Sequence, residues 1–251
     1  MNKLDKEKFI CIDCETTGLD SQNDSVIEVA VVLFTFDEVL EEFESLIDPE
    51  KEIPEASIAI HHISNEMVAG KPKIAEILPV ILKLIGNKTI VGHGIKFDID
   101  ILAAAAAKTG IPCTITNNET IDTLRLARLY GDSPTNALAT LGLHFNVDSD
   151  GAHRAMSDVK VNIEVFKHLA GKYRTVADIH KTLLKPILMK SMPLGPYKGR
   201  SFREIPLPYL KWAAHKDFDR DLIHSIKTEI HRRKQGNTFL QSGNPFHNLD
   251  L

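Results

Sequence analysis

The sequence predicts an α/β fold in which a mixed β-sheet is covered by helices, followed by a small second module. Three strand-like apolar runs come first, over 9–13, 26–36 and 38–47, and strands then alternate with helices. That order predicts a mixed sheet rather than a purely parallel one. The composition changes near residue 190, where 28 residues (191–218) contain four prolines, two tyrosines and the only tryptophan. A second, smaller module is therefore expected there.

The segments after residue 70 alternate between helix and strand. KIAEILPVILKLIGN has apolar residues at helical spacing and ends in a Gly-Asn stop, and the alanine-rich run over 98–110 ends in a glycine suited to a helix C-cap. In chain order we predict a helix over 73–87, a strand over 89–94, a helix over 98–110, a strand leading into a helix over 119–130, and helices over 136–145 and 152–172.

Domain boundaries follow from composition and charge. We predict a first domain over 1–175, a linker over 176–190, a small basic module over 191–235 and a loosely ordered tail over 236–251. Residues 181–251 carry 13 Lys and Arg against 6 Asp and Glu, whereas residues 1–180 carry 17 against 28. The basic part suits contact with a polyanion and the acidic part suits metal binding, although solvated surface charge explains both patterns equally well.

The composition excludes several classes of protein. At 43% hydrophobic and 25% charged residues, the 251-residue chain has no apolar run of the length that a membrane helix needs. The charged N-terminus lacks the pattern of a signal peptide, and three cysteines give no disulfide framework, so we expect a cytoplasmic protein that does not enter membranes. The absence of Walker and G-x-G-x-x-G loops argues against NTPases, kinases and dinucleotide-binding enzymes.

The stretch FICIDCETTGLD, residues 9–20, contains two candidate sites, C-x-x-C and D-x-E. On a strand, residues two apart share a face and residues three apart do not. Cys11 and Cys14 should therefore point to opposite faces and act as small buried hydrophobes. Asp13 and Glu15 should project together, and paired carboxylates on an apolar strand persist mainly where they share a hard cation. A pair at a solvated strand end is the alternative reading.

Two later segments add further polar groups. Asp98 follows an apolar strand and a Gly-rich turn at the start of a helix, where it, like Asp100, would also suit helix capping. His153 and Asp158 are five residues apart, which is 140° from alignment on a helix at about 100° per residue. The two side chains can reach the same site only if His153 lies just ahead of the helix and Asp158 lies in its first turns. Each of these residues, taken alone, is also typical of a protein surface.

Together the segments "FICIDCETTGLD", "VGHGIKFDIDIL" and "HRAMSDV" resemble the three motifs of the DEDDh 3′-5′ exonucleases, the DnaQ-like group that includes the proofreading subunit of bacterial DNA polymerase III. The resemblance covers about residues 8–170. It implies a ribonuclease H-like fold with a mixed five-stranded sheet. It also implies that Asp13, Glu15, Asp98 and Asp158 bind two Mg²⁺ or Mn²⁺ ions, and that His153 is the general base.

The chemistry of phosphodiester hydrolysis agrees with this assignment. In-line attack needs a water that loses its proton and a leaving 3′-oxygen that is stabilised, and two metal ions can serve both ends. A histidine with a near-neutral pKa can accept the proton of the water.

The resemblance also indicates residues that hold substrate. The turn of Thr16, Thr17, Gly18 and Leu19 would hold the terminal nucleotide, with Gly18 permitting close approach of a phosphate. Leu19 is either a wedge against a base or an ordinary packing residue. His61 occupies the place of a histidine often seen in the "IHHIS" region. Gly94 departs from the family, which usually has Asn there, so an amide that contacts substrate or positions the loop is missing.

The segment "MPLGPYKGRSFREIPLPYLKWAAHKDF" resembles a small module that is found alone or appended to exonucleases of this group. Its cations and aromatic residues are of the kind that hold single strands by phosphate contact and base stacking. For Tyr209 and Trp212 we expect a place in the module's core rather than a stacking role.

The leading hypothesis is a metal-dependent exonuclease that acts on 3′ ends of DNA and releases nucleoside 5′-monophosphates. The resemblance is compatible both with a stand-alone enzyme and with one that associates with a DNA polymerase. A ribonuclease that trims RNA ends is the alternative. A non-catalytic nucleic-acid-binding or polymerase-anchoring protein should have lost some ligands, and all five predicted positions are intact here.

Overall fold

The computed structural model describes residues 3–133, 135–148 and 154–242. The chain divides into two compact units, Met1–Thr182 and Leu183–Leu251. No helix in the described ranges combines the length and the apolar character needed to cross a membrane.

The first unit is built on a five-stranded sheet. Its strands are β1 (Phe9–Thr16), β2 (Val26–Phe34), β3 (Val39–Leu46), β4 (Thr89–Gly92) and β5 (Thr120–Asp122). Their order in the sheet is β3-β2-β1-β4-β5. β1 pairs antiparallel with β2, and β2 with β3, whereas β1 pairs parallel with β4, and β4 with β5. The expected mixed five-stranded sheet is therefore confirmed, and β1 lies at its centre.

Eight α-helices are described between residues 55 and 183. They are α1 (Glu55–His61), α2 (Asn65–Val68), α3 (Ile74–Ile85), α4 (Lys96–Thr109), α5 (Thr123–Tyr130), α6 (Leu138–His144), α7 (Ala155–Ala170) and α8 (Val176–Leu183). Short 3-10 helices lie at Lys3–Lys6 and Ile115–Asn117. All the helices predicted for the first domain are present, and α1, α2 and α8 are additional.

The two faces of β1 pack against different helices. Ile10 and Ile12 belong to an apolar core that includes residues of α3 and α4. On the other face the Phe9 ring lies 5.1 Å from that of Phe166 in α7, measured between centroids. The alternation of side chains along one strand thus directs every second residue towards α7. Because β2 is covered on both faces, all nine of its residues are buried.

An ion pair joins the sheet to the start of α7. The Glu28 side chain in β2 is fully buried, and its Oε1 accepts a hydrogen bond from Nη2 of Arg154 at 2.6 Å. Its Oε2 accepts a second one from the backbone N–H of Ala155 at 2.9 Å. Arg154 is the residue before α7, and 43% of its side chain is exposed. The pair therefore fixes the point at which α7 begins.

The second unit has its own small core. Two short 3-10 helices, Gly195–Tyr197 and Phe202–Glu204, precede α9 (Leu207–Ala213) and α10 (Arg220–Ser242). The core consists of Met192, Phe202, Ile205, Leu210, Ala213, Leu222 and Ile226. Glu229 in α10 accepts hydrogen bonds from Arg232 and Arg233, and Arg233 also donates to the carbonyl oxygens of Phe202 and Ile205. These bonds tie α10 to the second 3-10 helix.

Three expectations differ from the structure in this region. Tyr209 packs against the core as expected, but 51% of Trp212 is exposed, because it lies on the outer side of α9. The segment predicted as a linker, 176–190, contains α8. The predicted loose tail, 236–251, continues α10 as far as Ser242, and residues 243–251 lie outside the described part.

Removing the partner of the buried Glu28 carboxylate should destabilise the first unit strongly. We expect Arg154→Gln to lower the free energy of unfolding by about 3 kcal/mol, because a buried charge is left unpaired. The double variant Arg154→Gln/Glu28→Gln should recover part of the loss, since no uncompensated charge remains. Urea denaturation followed by circular dichroism measures both effects.

Lys160→Gln is the matched control. It breaks the exposed pair between Lys160 and Glu42, whose charged atoms lie 3.7 Å apart, and should change stability by less than about 0.5 kcal/mol. A double variant as unstable as Arg154→Gln alone would contradict this account of the buried pair.

Candidate active site

Three carboxylates meet at the end of β1. Asp13 and Glu15 lie on the face of β1 that is turned towards α7, and Asp158 lies in the first turn of α7. Each offers an oxygen atom within 4.8 Å of the oxygen atoms of the other two. The shared face of Asp13 and Glu15 and the placement of Asp158 are as the spacing predicts. All three side chains are partly exposed, so the cluster is open to solvent.

Asp98 lies beside this cluster, on α4. β4 pairs with β1 only as far as Cys11, so the N–H of Cys14 has no strand partner on that side. Oδ1 of Asp98 accepts a hydrogen bond from this N–H at 3.0 Å. The Asp98 side chain is buried, and the Ncap residue of α4 is Ile95. Asp98 is therefore not the Ncap residue of α4; it lies in the first turn of this helix and holds the edge of β1 next to the three carboxylates.

Burial and mutual repulsion raise the pKa of three of these carboxyl groups. Burial raises the pKa of Asp13 well above its usual range, and Asp98, Asp158 and Glu15 add to the effect. Burial, followed by repulsion from Asp158, raises the pKa of Glu15 to about 7. Burial also raises the pKa of Asp98 to about 7, although the hydrogen bond from Cys14 opposes the shift. Such a cluster is stabilised by cations, and its oxygen donors fit Mg²⁺ or Mn²⁺.

The two cysteines of C-x-x-C do not form a site. Cys11 Sγ lies 3.8 Å from the carbonyl oxygen of Val159 in α7, whereas Cys14 packs on the α3 and α4 side. Burial raises the pKa of both thiols, which keeps them protonated. Both cysteines are free, and their opposite orientation agrees with the strand parity.

The turn after β1 is closed by hydrogen bonds within the chain. Thr16 Oγ1 donates to the carbonyl oxygen of Gly18 at 2.7 Å, and Thr17 Oγ1 donates to Asp24 Oδ1 at 2.8 Å. A Cβ atom on Gly18 would lie 2.4 Å from Asp24 Oδ2. Gly18 is thus required by contact with Asp24, a reason that differs from the close phosphate approach predicted for it. Leu19 is 90% exposed, so ordinary packing does not explain this residue.

His61, the last residue of α1, is buried close to the backbone of Thr16. Its side chain is 2% exposed, and Nδ1 accepts a hydrogen bond from the N–H of Ile63 at 3.0 Å. Nε2 is buried and has no hydrogen-bond partner among the described residues. Burial lowers the pKa of His61, which favours the neutral ring. A buried nitrogen without a partner is the kind of group that a ligand satisfies.

The predicted general base, His153, lies outside the described residues, together with 149–152. The residue after it, Arg154, is held by Glu28 as described above. The chain position of His153, directly ahead of α7, is the one that the spacing argument requires if His153 and Asp158 address one centre.

Three residues that position the site were missed by sequence reasoning. Glu28 lies directly opposite Glu15 in the β1–β2 pairing, and Arg154 pairs with it. A single carboxylate within the apolar run VIEVAVVLF was the available signal, since a buried charge requires a partner. Asp24 also accepts a hydrogen bond from the N–H of Asp20 at 2.9 Å, and a turn-rich segment is the only sequence signal for this role.

The loop with Gly94 is positioned without a side-chain amide. Gly94 has φ of 74°, which favours glycine, and its N–H donates to Asp122 Oδ1 at 3.0 Å. The neighbouring His93 is within 3.0 Å of Thr123 Oγ1 and within 2.9 Å of the carbonyl oxygen of Asn136. A backbone hydrogen bond therefore holds this loop at Gly94.

Comparison with known proteins gives consistent matches. A family model described as an exonuclease, RNase_T, matches residues 10–166. A PolC-type DNA polymerase III of Clostridium perfringens is 32% identical over 195 residues, which is 75% of this chain and 13% of that protein. The epsilon subunit of DNA polymerase III of Aquifex aeolicus is 31% identical over 159 residues, covering 63% of this chain and 78% of that protein. The chain thus spans only a small part of the PolC-type polymerases.

Solved structures share the fold. Exonuclease X in complex with 5′ overhanging duplex DNA has a TM-score of 0.56 and 23% identity, covering 70% of this chain and 99% of that chain. Exonuclease I of E. coli, in a complex with single-stranded DNA, has a TM-score of 0.62 and 18% identity, covering 71% of this chain and 43% of that chain.

A second family model, named for a quorum-sensing-regulated virulence factor, matches residues 180–229. The RNase_T match covers well over half of the chain, and the sheet order and the carboxylate cluster agree with the DEDDh motifs. The chain belongs to the RNase_T exonuclease family and has the fold of the DEDDh exonucleases.

Proposed function

We propose that this protein is a Mg²⁺- or Mn²⁺-dependent exonuclease that removes nucleotides from the 3′ end of DNA and releases nucleoside 5′-monophosphates. The observation that carries the proposal is the cluster of Asp13, Glu15 and Asp158, with oxygen atoms within 4.8 Å of one another inside a domain of the exonuclease family. Asp98, hydrogen-bonded to the adjacent Cys14, supplies the fourth carboxylate.

Each polar group has a separate role in this reaction. The four carboxylates would hold two divalent ions, which would acidify the attacking water and stabilise the leaving 3′-oxygen when bound. His153 accepts the proton of the water. The Glu28–Arg154 pair fixes the backbone that follows His153, and so acts on the position of the base rather than on the substrate. Water access through the partly exposed cluster is consistent with hydrolysis.

The turn and His61 form the proposed grip on the terminal nucleotide. Thr16, Thr17 and Gly18 shape a backbone turn that the chain's own hydrogen bonds already hold in place. The exposed Leu19 is then available to insert against a terminal base. Because Nδ1 of the neutral His61 ring accepts the N–H of Ile63, Nε2 carries the ring proton and donates to the bound nucleotide.

DNA is proposed over RNA because of the relatives. The matched PolC-type and epsilon proteins are named as parts of DNA polymerase III, and the structures of exonuclease X and exonuclease I contain DNA. Association with a DNA polymerase is proposed on the same basis. Matched DNA and RNA oligonucleotides discriminate the two substrates, and a strong preference for RNA would favour the ribonuclease alternative.

The direct test uses single-stranded DNA labelled at either end. With Mg²⁺, label at the 3′ end should be released as a mononucleotide at once, whereas label at the 5′ end should stay in progressively shorter oligonucleotides. A chelator should abolish both the release of 3′ label and the shortening of the 5′-labelled strand, because without a cation the carboxylates repel the phosphate. Release of 5′ label before 3′ label, or release in the presence of chelator, would refute the proposed reaction.

Metal binding should depend on pH in a defined direction. Because the pKa values of Glu15 and Asp98 are raised to about 7, their contribution to the stability of the metal-free protein is present at low pH and is lost as pH rises through 7. Metal binds the deprotonated carboxylates. The rise in Tm caused by Mg²⁺ should therefore be larger at about pH 8 than at about pH 6.

Two variants separate metal binding from proton transfer. Asp13→Asn should reduce the Mg²⁺-induced rise in Tm and abolish activity, since it removes a ligand. His153→Ala should keep the rise in Tm and lower kcat by about 10²-fold or more, since it removes only the base. If His153→Ala lost metal affinity while its chemistry stayed fast, the assignment of His153 as base would be wrong.

Leu19→Ala tests the grip on the terminal nucleotide. Because Leu19 is 90% exposed, the variant should keep the wild-type Tm while KM for single-stranded DNA rises by about tenfold, from the lost apolar contact. Leu143→Ala, at a site that is 78% exposed, serves as control and should change neither quantity. An unchanged KM in Leu19→Ala would exclude the wedge.

A further inference from the structure

The second unit displays an aromatic surface that its own core does not use. Trp212 is 51% exposed, because the small core of this unit lies on the other side of α9. Its ring centroid lies 5.2 Å from that of Tyr209, which in turn lies 4.7 Å from that of Tyr197. We call these three rings, together with Lys216, the aromatic ridge. Trp212 is about half exposed, whereas Tyr197 and Tyr209 are largely covered.

The ridge is built by local structure. Gly195 has φ of 73°, and a Cβ atom on it would lie 2.9 Å from the Tyr209 hydroxyl, so glycine is required for the close approach of this loop to Tyr209. The loop continues directly into Tyr197, whose ring packs edge-on against that of Tyr209. Tyr197 and Tyr209 both pack against the core and so hold the base of the ridge in place. Trp212 is thereby presented to solvent on a rigid support.

One lysine contacts the exposed ring, and two more are next to ridge residues in the sequence. Lys216 Nζ lies 4.7 Å from the Trp212 ring centroid, in cation–π contact, and Lys198 and Lys211 are exposed neighbours in sequence of Tyr197 and Trp212. Between 183 and 235 the chain carries 12 Lys and Arg against 5 Asp and Glu.

The acidic residues of this range leave a clear excess of positive charge. Glu229 is buried and held by Arg232 and Arg233, and Asp221 is buried and accepts the N–H of Ile187. The other three acidic residues, Glu204, Asp217 and Asp219, are exposed. The net charge between 183 and 235 is therefore +7.

We propose that the aromatic ridge binds single-stranded nucleic acid, with a base stacked on Trp212 and phosphates held by Lys198, Lys211 and Lys216. An exposed indole with nearby cations satisfies both halves of single-strand recognition, base stacking and backbone neutralisation. The excess of positive charge selects a polyanion over an ordinary protein partner. The site goes beyond the proposed exonuclease function, because it requires neither metal ions nor the carboxylate cluster.

Trp212 provides its own probe, because it is the only tryptophan in the chain. The full chain is titrated with an oligothymidylate of about 12 nucleotides in chelator, which prevents degradation. Stacking should quench the tryptophan fluorescence in a saturable way, and added salt should reverse it. The Asp13→Asn variant should show the same quenching, so that a failed exonuclease assay and a failed ridge remain distinguishable.

Variants then separate stacking from charge, with binding measured by anisotropy of a labelled oligonucleotide. Trp212→Ala should weaken binding by about tenfold, and Trp212→Phe should retain most of it. Lys211→Gln and Lys216→Gln should each reduce the slope of log K against log salt by about 0.7. Leu188→Ala, at a 60% exposed apolar site of the same unit, is the matched control and should bind as the wild type.

Two outcomes would overturn the proposal. Unchanged fluorescence at oligonucleotide concentrations that saturate the anisotropy would place the strand elsewhere on the protein. Absence of binding in chelator, with normal circular dichroism, would exclude nucleic acid from the ridge and favour a protein partner for its exposed tryptophan.

Discussion

Repulsion between carboxylates at the end of β1 is the constraint on which the first unit depends. Asp13, Glu15 and Asp158 approach within 4.8 Å, and burial makes the charged forms of Asp13 and Glu15 more costly still. The surrounding structure must therefore impose this proximity. It does so because β1 is the central strand, held by β2 on one side and by β4 on the other, while α7 covers the face on which the carboxylates lie. A divalent cation would relieve the strain that the fold maintains.

The positive charge next to the carboxylate cluster comes from Arg154, which pairs with Glu28. Glu28, opposite Glu15, would worsen the repulsion if it were unpaired, but Arg154 binds both of its oxygen atoms. Arg154 also lowers the pKa of Glu15, against the larger effect of burial. The same ion pair thus limits the negative charge around Glu15 and anchors the start of α7. Arg154, which follows the predicted general base His153 in the chain, therefore contributes both to the structure and to the electrostatics of the site.

Local rules predicted much of the site. The period of two along β1 placed Asp13 and Glu15 on one face and separated Cys11 from Cys14 without any knowledge of the partners. The order of strands and helices predicted the mixed sheet. The Glu28–Arg154 pair, by contrast, joins residues 126 positions apart, and nothing in the local pattern identifies the partner of a buried charge. The exposure of Trp212 was missed for a similar reason, because the buried side of a seven-residue helix depends on the core it meets.

The hydrogen bonds inside the turn after β1 have a consequence for recognition. Asp24 links Thr17 and Asp20, and Ser57 Oγ donates to the carbonyl oxygen of Thr17 at 2.8 Å, so the turn is cross-linked from both sides before any nucleotide arrives. The conformational entropy of the turn is lost during folding and not during binding. Leu19 then projects from a preorganised frame. If this turn holds the terminal nucleotide as proposed, a strand end would enter and leave it without the backbone having to order itself anew for each nucleotide.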